Sequence, residues 1–486
     1  MMPSSRSTLT KQQLQDRIRG CLIGNAVGDA YGLATEFMSK KFAVEVYGNG
    51  PIAFGRDPGY PVWEDRHRLE SDRNDFTDDT DQMLLILQSL DQTGDGHLHP
   101  TNFAQKLLEW ERHGIPEIGT DPGRGLGFTV GRVMSHPLFS KDPHAAAFKI
   151  WNSSGRNLAP NGAVMRTAVL GIECFWDEPR VVENALAAAK TTHADPRSVV
   201  SALVSSVLIS RYLRGGGHNA VDDKARVWNS ELKQTQYRQG LLAYLRRGMD
   251  DSSTPTNDAQ AATFTPKDYK GLEKSRLEKE AKSGGFYKEL LKKRNPAVLN
   301  ANRPQVTLRP NIGWAGIDHV GEDDAAGCLA RSVIADYKFL LQETDLVPLD
   351  GDPRHFQEKW TKELERSCFP QNVAQLDLGS ASSIGYTFKC IGAAYYGATR
   401  KVDPAPTAPE YNGPEGLFRG LMEQITLEAG DADTNAAVMG SLLGARFGLD
   451  QGIPSSWWTE LLHLEWLNAT VDQYMERVIA AYESLE

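Results

Sequence analysis

Between residues 14 and 38 glycine recurs at every fourth position, at Gly20, Gly24, Gly28 and Gly32. Ile18, Cys21, Leu22, Ala26 and Ala30 form an apolar stripe through the same stretch, so it reads as a helix over 14–38. Each glycine inside a helix costs about 1 kcal/mol relative to alanine. Four on one face imply that something approaches the helix backbone closely. A second helix packed tightly against the first is the ordinary explanation. Asp29 and Glu36 are seven residues apart, which on a continuous helix sets them near one face after two turns.

Two further stretches concentrate oxygen ligands. Gly430-Asp431-Ala432-Asp433-Thr434-Asn435 precedes a small, apolar, helix-like run from Ala437 to Ala445. Thr77-Asp78-Asp79-Thr80-Asp81 precedes Met83-Leu84-Leu85-Ile86-Leu87, with Leu90 at helical spacing. Asp and Thr cap helix N-termini well, because their oxygens accept from free backbone amides and oppose the helix dipole. Capping accounts for one such residue per helix and leaves the others unexplained. Clustered hard oxygens without a nearby Lys or Arg also suit Mg²⁺ or Mn²⁺. Both readings stand at this level. If the two helix starts converge, they carry enough oxygens for two cations.

Several motifs along the chain match a known family. Thr77-Asp78-Asp79-Thr80 early and Gly430-Asp431-Ala432-Asp433-Thr434 late resemble the paired motifs of the ADP-ribosylglycohydrolases. Gly28-Asp29 followed seven residues later by Glu36 resembles the family's opening helix. Ala429 stands where the family usually has a second glycine. The resemblance covers roughly 14–214 and 376–460. It implies an all-α fold: a compact multi-helix bundle around a binuclear metal centre, over 14–486, with 215–320 as an elaborated insertion and 1–13 as a flexible tail. It also implies a hydrolase that cleaves ADP-ribosyl bonds at the anomeric carbon, acting on ADP-ribose conjugates of protein or small molecules. Thr77, Asp78, Asp79, Asp431, Asp433 and Thr434 would hold two Mg²⁺ ions, with Mn²⁺ an alternative. Glu36, Asp78 and Asp79 are the candidate catalytic carboxylates. The substrate would meet Asp29, the glycine turn of Gly123, Gly125 and Gly127, the Asn161-Gly162-Ala163-Val164-Met165-Arg166 segment through Asn161, Gly162, Met165 and Arg166, and His193. Taken without the resemblance, the glycines read as a flexible turn, Arg166 as an ion-pair partner and His193 as structural. A hydrolase of another nucleotide-sugar or nucleoside, and a non-catalytic ADP-ribose-binding relative, are the rival functions. Arginine, serine and small molecules remain open as acceptors.

Composition sets outer bounds. The 486 residues are 40% hydrophobic and 24% charged, and the formal net charge is −10. That charge disfavours a nucleic-acid partner held by a basic surface. Five scattered cysteines suggest free thiols and a cytoplasmic, or nuclear, location. No stretch is long and apolar enough to span a membrane. Few segments alternate as strands do. Residues 39–76 are rich in Gly and Pro and read as a long irregular loop over the site. Asp91 to Gly96 reads as a turn. Residues 215–320 are polar and turn-rich and read as peripheral, with a solvated helix over 270–294.

Overall fold

The computed structural model describes residues 7–217, 231–249, 321–403, 406 and 408–485. Among them the architecture is helical, with isolated β-bridges and no named strand. In chain order the helices are α1 (Lys11–Gly32), α2 (Lys40–Tyr47), α3 (Asp78–Thr93), α4 (Pro100–His113), α5 (Phe128–Met134), α6 (Pro143–Ser153), α7 (Glu178–Lys190), α8 (Pro196–Leu213), α9 (Glu231–Leu245), α10 (Asp324–Tyr337), α11 (Phe339–Gln342), α12 (Pro353–Cys368), α13 (Thr387–Ala398), α14 (Gly413–Glu428), α15 (Ala432–Phe447), α16 (Ser455–Trp458) and α17 (Leu464–Glu483). The chain divides into a main unit, 1–249 with 311–486, and a second unit, 250–310, which lies outside the described residues.

The glycines of α1 are explained by α15. A Cβ added to Gly20 would lie 2.7 Å from the Gly444 carbonyl oxygen, one on Gly24 2.4 Å from that of Gly440, one on Gly28 2.2 Å from that of Ala436, and one on Gly32 2.4 Å from that of Ala432. The contacts descend α15 as they climb α1, so the two helices run antiparallel, backbone against backbone. Every residue from Ala432 to Arg446 is buried, which makes α15 the central helix. A helix enclosed on all sides needs small or apolar residues all round, and α15 has them from Ala436 to Ala445. The register sets the last turn of α1 beside the first turn of α15. Asn25 locks it, donating to Ser441 Oγ at 3.2 Å and to Ala437 O at 3.4 Å.

Three boundaries differ from the sequence expectation. First, α1 ends at Gly32, and a 3-10 turn over Leu33–Thr35 follows. Glu36 is extended and bridges to Gly430, with Phe37 N donating to Gly430 O at 2.6 Å and Gly430 N to Met38 O at 3.0 Å. Asp29 and Glu36 therefore do not share a helix, and a backbone pairing brings Glu36 to the late motif. Second, the 39–76 stretch contains α2, capped by the Ser39 side chain. Third, α1 begins at Lys11 rather than at 14. Thr10 and Gln13 form a capping box on α1, and Thr8 N donates to Arg214 O at 3.2 Å.

Part of the 215–320 region belongs to the body. Leu241 and Leu245 of α9 are buried in the core. Lys190 Nζ donates to the carbonyls of Tyr244 and Arg247 at 2.8 Å, a cation on the C-terminal end of α9. The helix expected over 270–294 lies outside the described residues.

Candidate metal centre

Two helix N-termini meet the end of α1. Asp29 is fully buried and accepts four hydrogen bonds at the start of α3: Thr77 N at 2.9 Å, Thr77 Oγ1 at 2.7 Å, Thr80 N at 3.0 Å and Thr80 Oγ1 at 2.6 Å. The cap of α3 is thus supplied by α1. Neither N-cap residue, Thr77 on α3 or Asp431 on α15, caps its own helix through its side chain. Asp78, Asp79 and Asp433 are buried, and Asp433 Oδ1 accepts from Thr434 N in the first turn of α15 at 2.8 Å.

The carboxylates gather in two groups of three. Asp29, Asp79 and Asp433 form one, and Glu36, Asp431 and Asp433 the other. Within each group the potential ligand oxygens lie within 4.8 Å of one another, and Asp433 belongs to both. Asp79 Oδ1 is buried with no hydrogen-bond partner. Thr434 Oγ1 donates to Asp79 Oδ2 at 3.3 Å, which ties the late motif to the early one.

Burial, with repulsion between neighbours, raises the proton affinity of the aspartates here. Asp29 is pushed up to about 6 by burial, against the pull of the Thr77 and Thr80 hydrogen bonds. Asp431 also reaches about 6, through burial and then the Glu36 charge. Asp78, Asp79 and Asp433 lie well above the usual carboxylate range, by burial first and neighbouring carboxylates second. An all-oxygen donor set, an orphaned carboxylate oxygen and this uncompensated repulsion fit hard divalent cations.

The remaining expected site residues sit at graded distances. Asn161 Nδ2 donates to Asp431 Oδ2 at 2.8 Å. Gly125, at φ +70°, faces Asp78, and a Cβ there would lie 2.2 Å from Asp78 Oδ1. Gly123 packs instead on Glu111, and a Cβ on Gly127 would meet open space. Arg166 is wholly buried, with a pKa lowered by burial to about 9. It reaches the cluster through Gln82, whose Oε1 accepts from Arg166 at 2.7 Å while its Nε2 donates to Asp78 at 2.9 Å. Met165 is buried, and its carbonyl serves Asn25. His193 lies behind the Asn161-Gly162 turn. A Cβ on Gly162 would meet its ring at 3.2 Å, its Nε2 is buried without a partner, and burial holds it neutral.

Sequence reasoning missed the supporting residues. Asp81 does not join the cluster. It accepts from Trp110 Nε1 at 3.0 Å and from Arg124 Nε at 2.9 Å, and Arg124 also reaches Asp75 at 2.7 Å. This clamp holds the glycine turn against Asp78. Gln82, four residues after Asp78, was visible from helical spacing. His67 was not, since only the fold brings its Nε2 within 2.5 Å of Glu36 Oε2.

The profile of the ADP-ribosylglycohydrolase family matches residues 10–287 and 296–484. The chain belongs to the ADP-ribosylglycohydrolase family. Among curated relatives, the ADP-ribosylarginine hydrolase Tri1 of Serratia proteamaculans is 26% identical over 202 residues, 41% of this chain and 48% of its own length. The ADP-ribosyl-[dinitrogen reductase] glycohydrolase of Rhodospirillum rubrum is 26% identical over 217 residues, 45% of this chain and 65% of its own. The matches thus span about half of the first relative and just under two thirds of the second. A solved ADP-ribosylglycohydrolase-related protein complex aligns over 96% of this chain and 99% of its own, at 20% identity and a TM-score of 0.47. The family profile extends well beyond the stretches that motifs alone had marked, through α9 and into the 215–320 region. No described helix is long and apolar enough to cross a membrane.

Proposed function

We propose that this protein is a divalent-cation-dependent hydrolase that releases ADP-ribose from a modified acceptor by cleavage at the anomeric carbon. The observation that carries the reading is the pair of carboxylate triads sharing Asp433. Asp29, Asp79 and Asp433 would hold one cation, and Glu36, Asp431 and Asp433 the second, with Thr77, Asp78 and Thr434 added by family resemblance. Mg²⁺ is the first choice and Mn²⁺ the second. Cations bound there would supply Lewis acidity toward the ribose oxygens and make a water easier to ionise than bulk water. The chain's own residues do the rest. Asn161 orients Asp431, Gly125 lets the glycine turn approach Asp78, and the Arg166–Gln82 relay steadies Asp78 from behind. Proton transfer falls to Glu36, Asp78 or Asp79, and the pH–rate profiles of the three amide variants separate them. The names of the two relatives favour an ADP-ribosylated protein as substrate, arginine-linked first. Five free cysteines support a reducing compartment such as the cytoplasm.

Asp433→Asn tests this reading. The variant keeps the shape and removes the charge common to both triads. Expected are loss of turnover on ADP-ribosyl-arginine, an unchanged circular dichroism spectrum, and wild-type activity that EDTA abolishes and Mg²⁺ or Mn²⁺ restores. Wild-type turnover by D433N at limiting Mg²⁺ would overturn the assignment.

A further inference from the structure

Phe37 follows Glu36 directly and has a left-handed backbone, φ +58°. For a bulky side chain that conformation is strained. It is imposed from both sides, by Phe37 N on Gly430 O and by Gly430 N on Met38 O, with Met38 buried as the next anchor. Glycine would take the same turn without strain. The ring contributes little to the core, since Phe37 is 58% exposed. It lies against the His67 ring, centroids 5.2 Å apart, and His67 is the residue hydrogen-bonded to Glu36. The chain therefore keeps a strained, solvent-facing aromatic ring one residue from a carboxylate of the cluster. Asn161 and Gly125 meet the cluster at Asp431 and Asp78, whereas Phe37 and His67 stand at Glu36.

We infer that Phe37 is the acceptor platform, on which the guanidinium of an arginine-linked ADP-ribose stacks as the bond at the anomeric carbon is cut. A planar, weakly hydrated cation is the group that gains most from an aromatic face beside carboxylates. A serine-linked acceptor presents neither plane nor charge. Phe37 is thus a specificity-determining residue, and its role rests on the function proposed above.

The experiment compares wild type, F37G, F37L and F37Y on arginine-linked and serine-linked ADP-ribosyl peptides with Mg²⁺. ADP-ribose affinity is followed by calorimetry and stability by thermal melting. F37G is expected to melt at or above the wild type, since the strain is relieved. Its KM for the arginine-linked peptide is expected to rise roughly threefold to thirtyfold, the range of a cation–π contact, with kcat moved less and ADP-ribose affinity retained. F37L, which keeps apolar bulk without a π-face, is expected to follow F37G and covers the case in which F37G does not fold. F37Y is expected to stay near the wild type. An unchanged KM in F37G and F37L overturns the platform, as does an equal rise for both linkages. A wild type that cleaves only the serine-linked peptide overturns the platform and leaves the proposed hydrolase standing. A wild type that cleaves neither and binds no ADP-ribose removes both.

Discussion

Asp29 shows how one side chain bears on a question that composition leaves open. Helix capping and ligand clustering compete as explanations for Thr77-Asp78-Asp79 when the segment is taken alone. Asp29 supplies the cap from another helix, which frees the segment's own carboxylates. Away from the cluster, Glu423 isolates the cost of a buried charge. It is 3% exposed, accepts from Tyr411 Oη at 2.8 Å, and is pushed up by burial to about 7. A carboxylate whose folded value is raised adds stability below its unfolded value, near 4.5, and loses it as pH rises through about 7. Glu423→Gln keeps an acceptor for Tyr411 and removes the titration. E423Q is therefore expected to melt close to the wild type at pH 5 and above it at pH 8, by up to about 3 kcal/mol. Equal pH profiles for the two proteins would show that Glu423 stays ionised at little cost.

Among the elements, α1 and α15 carry the positioning. Their small residues meet at four levels, and the backbone contact that results leaves no room for a methyl group. Gly24→Ala gains helix propensity of about 1 kcal/mol, yet its Cβ would sit 2.4 Å from the Gly440 carbonyl oxygen. The expected balance is a net loss of about 1–3 kcal/mol through overpacking, read from urea unfolding, together with reduced kcat/KM because Asp29 is displaced from Asp433. A more stable G24A would mean that the helices separate freely. The glycine stripe, the two acidic helix starts and the all-helical class were legible because each has its own local period or composition. The end of α1 was not legible. Nothing near Glu36 in sequence announces that Gly430 will pair with it and stop the helix short. The Arg124 clamp and the His67 contact likewise depend on neighbours distant in sequence. Helix α2 was hidden by the surrounding Gly and Pro, although Ser39 before Lys40 is an ordinary cap.

In the molecule as a whole, the candidate centre joins parts of the chain that are far apart. Asp79 and Thr434, hydrogen-bonded here, are 355 residues apart in sequence. Asp79 and Asp431 belong to different triads that share only Asp433. If the triads work as one centre, Asp79→Ala and Asp431→Ala should each remove nearly all turnover, and the double variant should lose little more. Losses in kcat/KM that multiply in the double variant would mean two independent sites.

The long reach has a consequence in time. Asn25 and Ser441 hold the register of the pair across 416 residues. At 5–20 residues per second, a nascent chain displays its glycine-striped segment for roughly 20–80 seconds before the partner is made. During that interval the glycine face has no α15 backbone to lie against, and Asp29 has no carboxylate from α15 beside it. Interrupted translation products that lack α15 would therefore be inert clients for chaperones and proteases, with no partial activity. The centre comes into being only when the late helix slides into place.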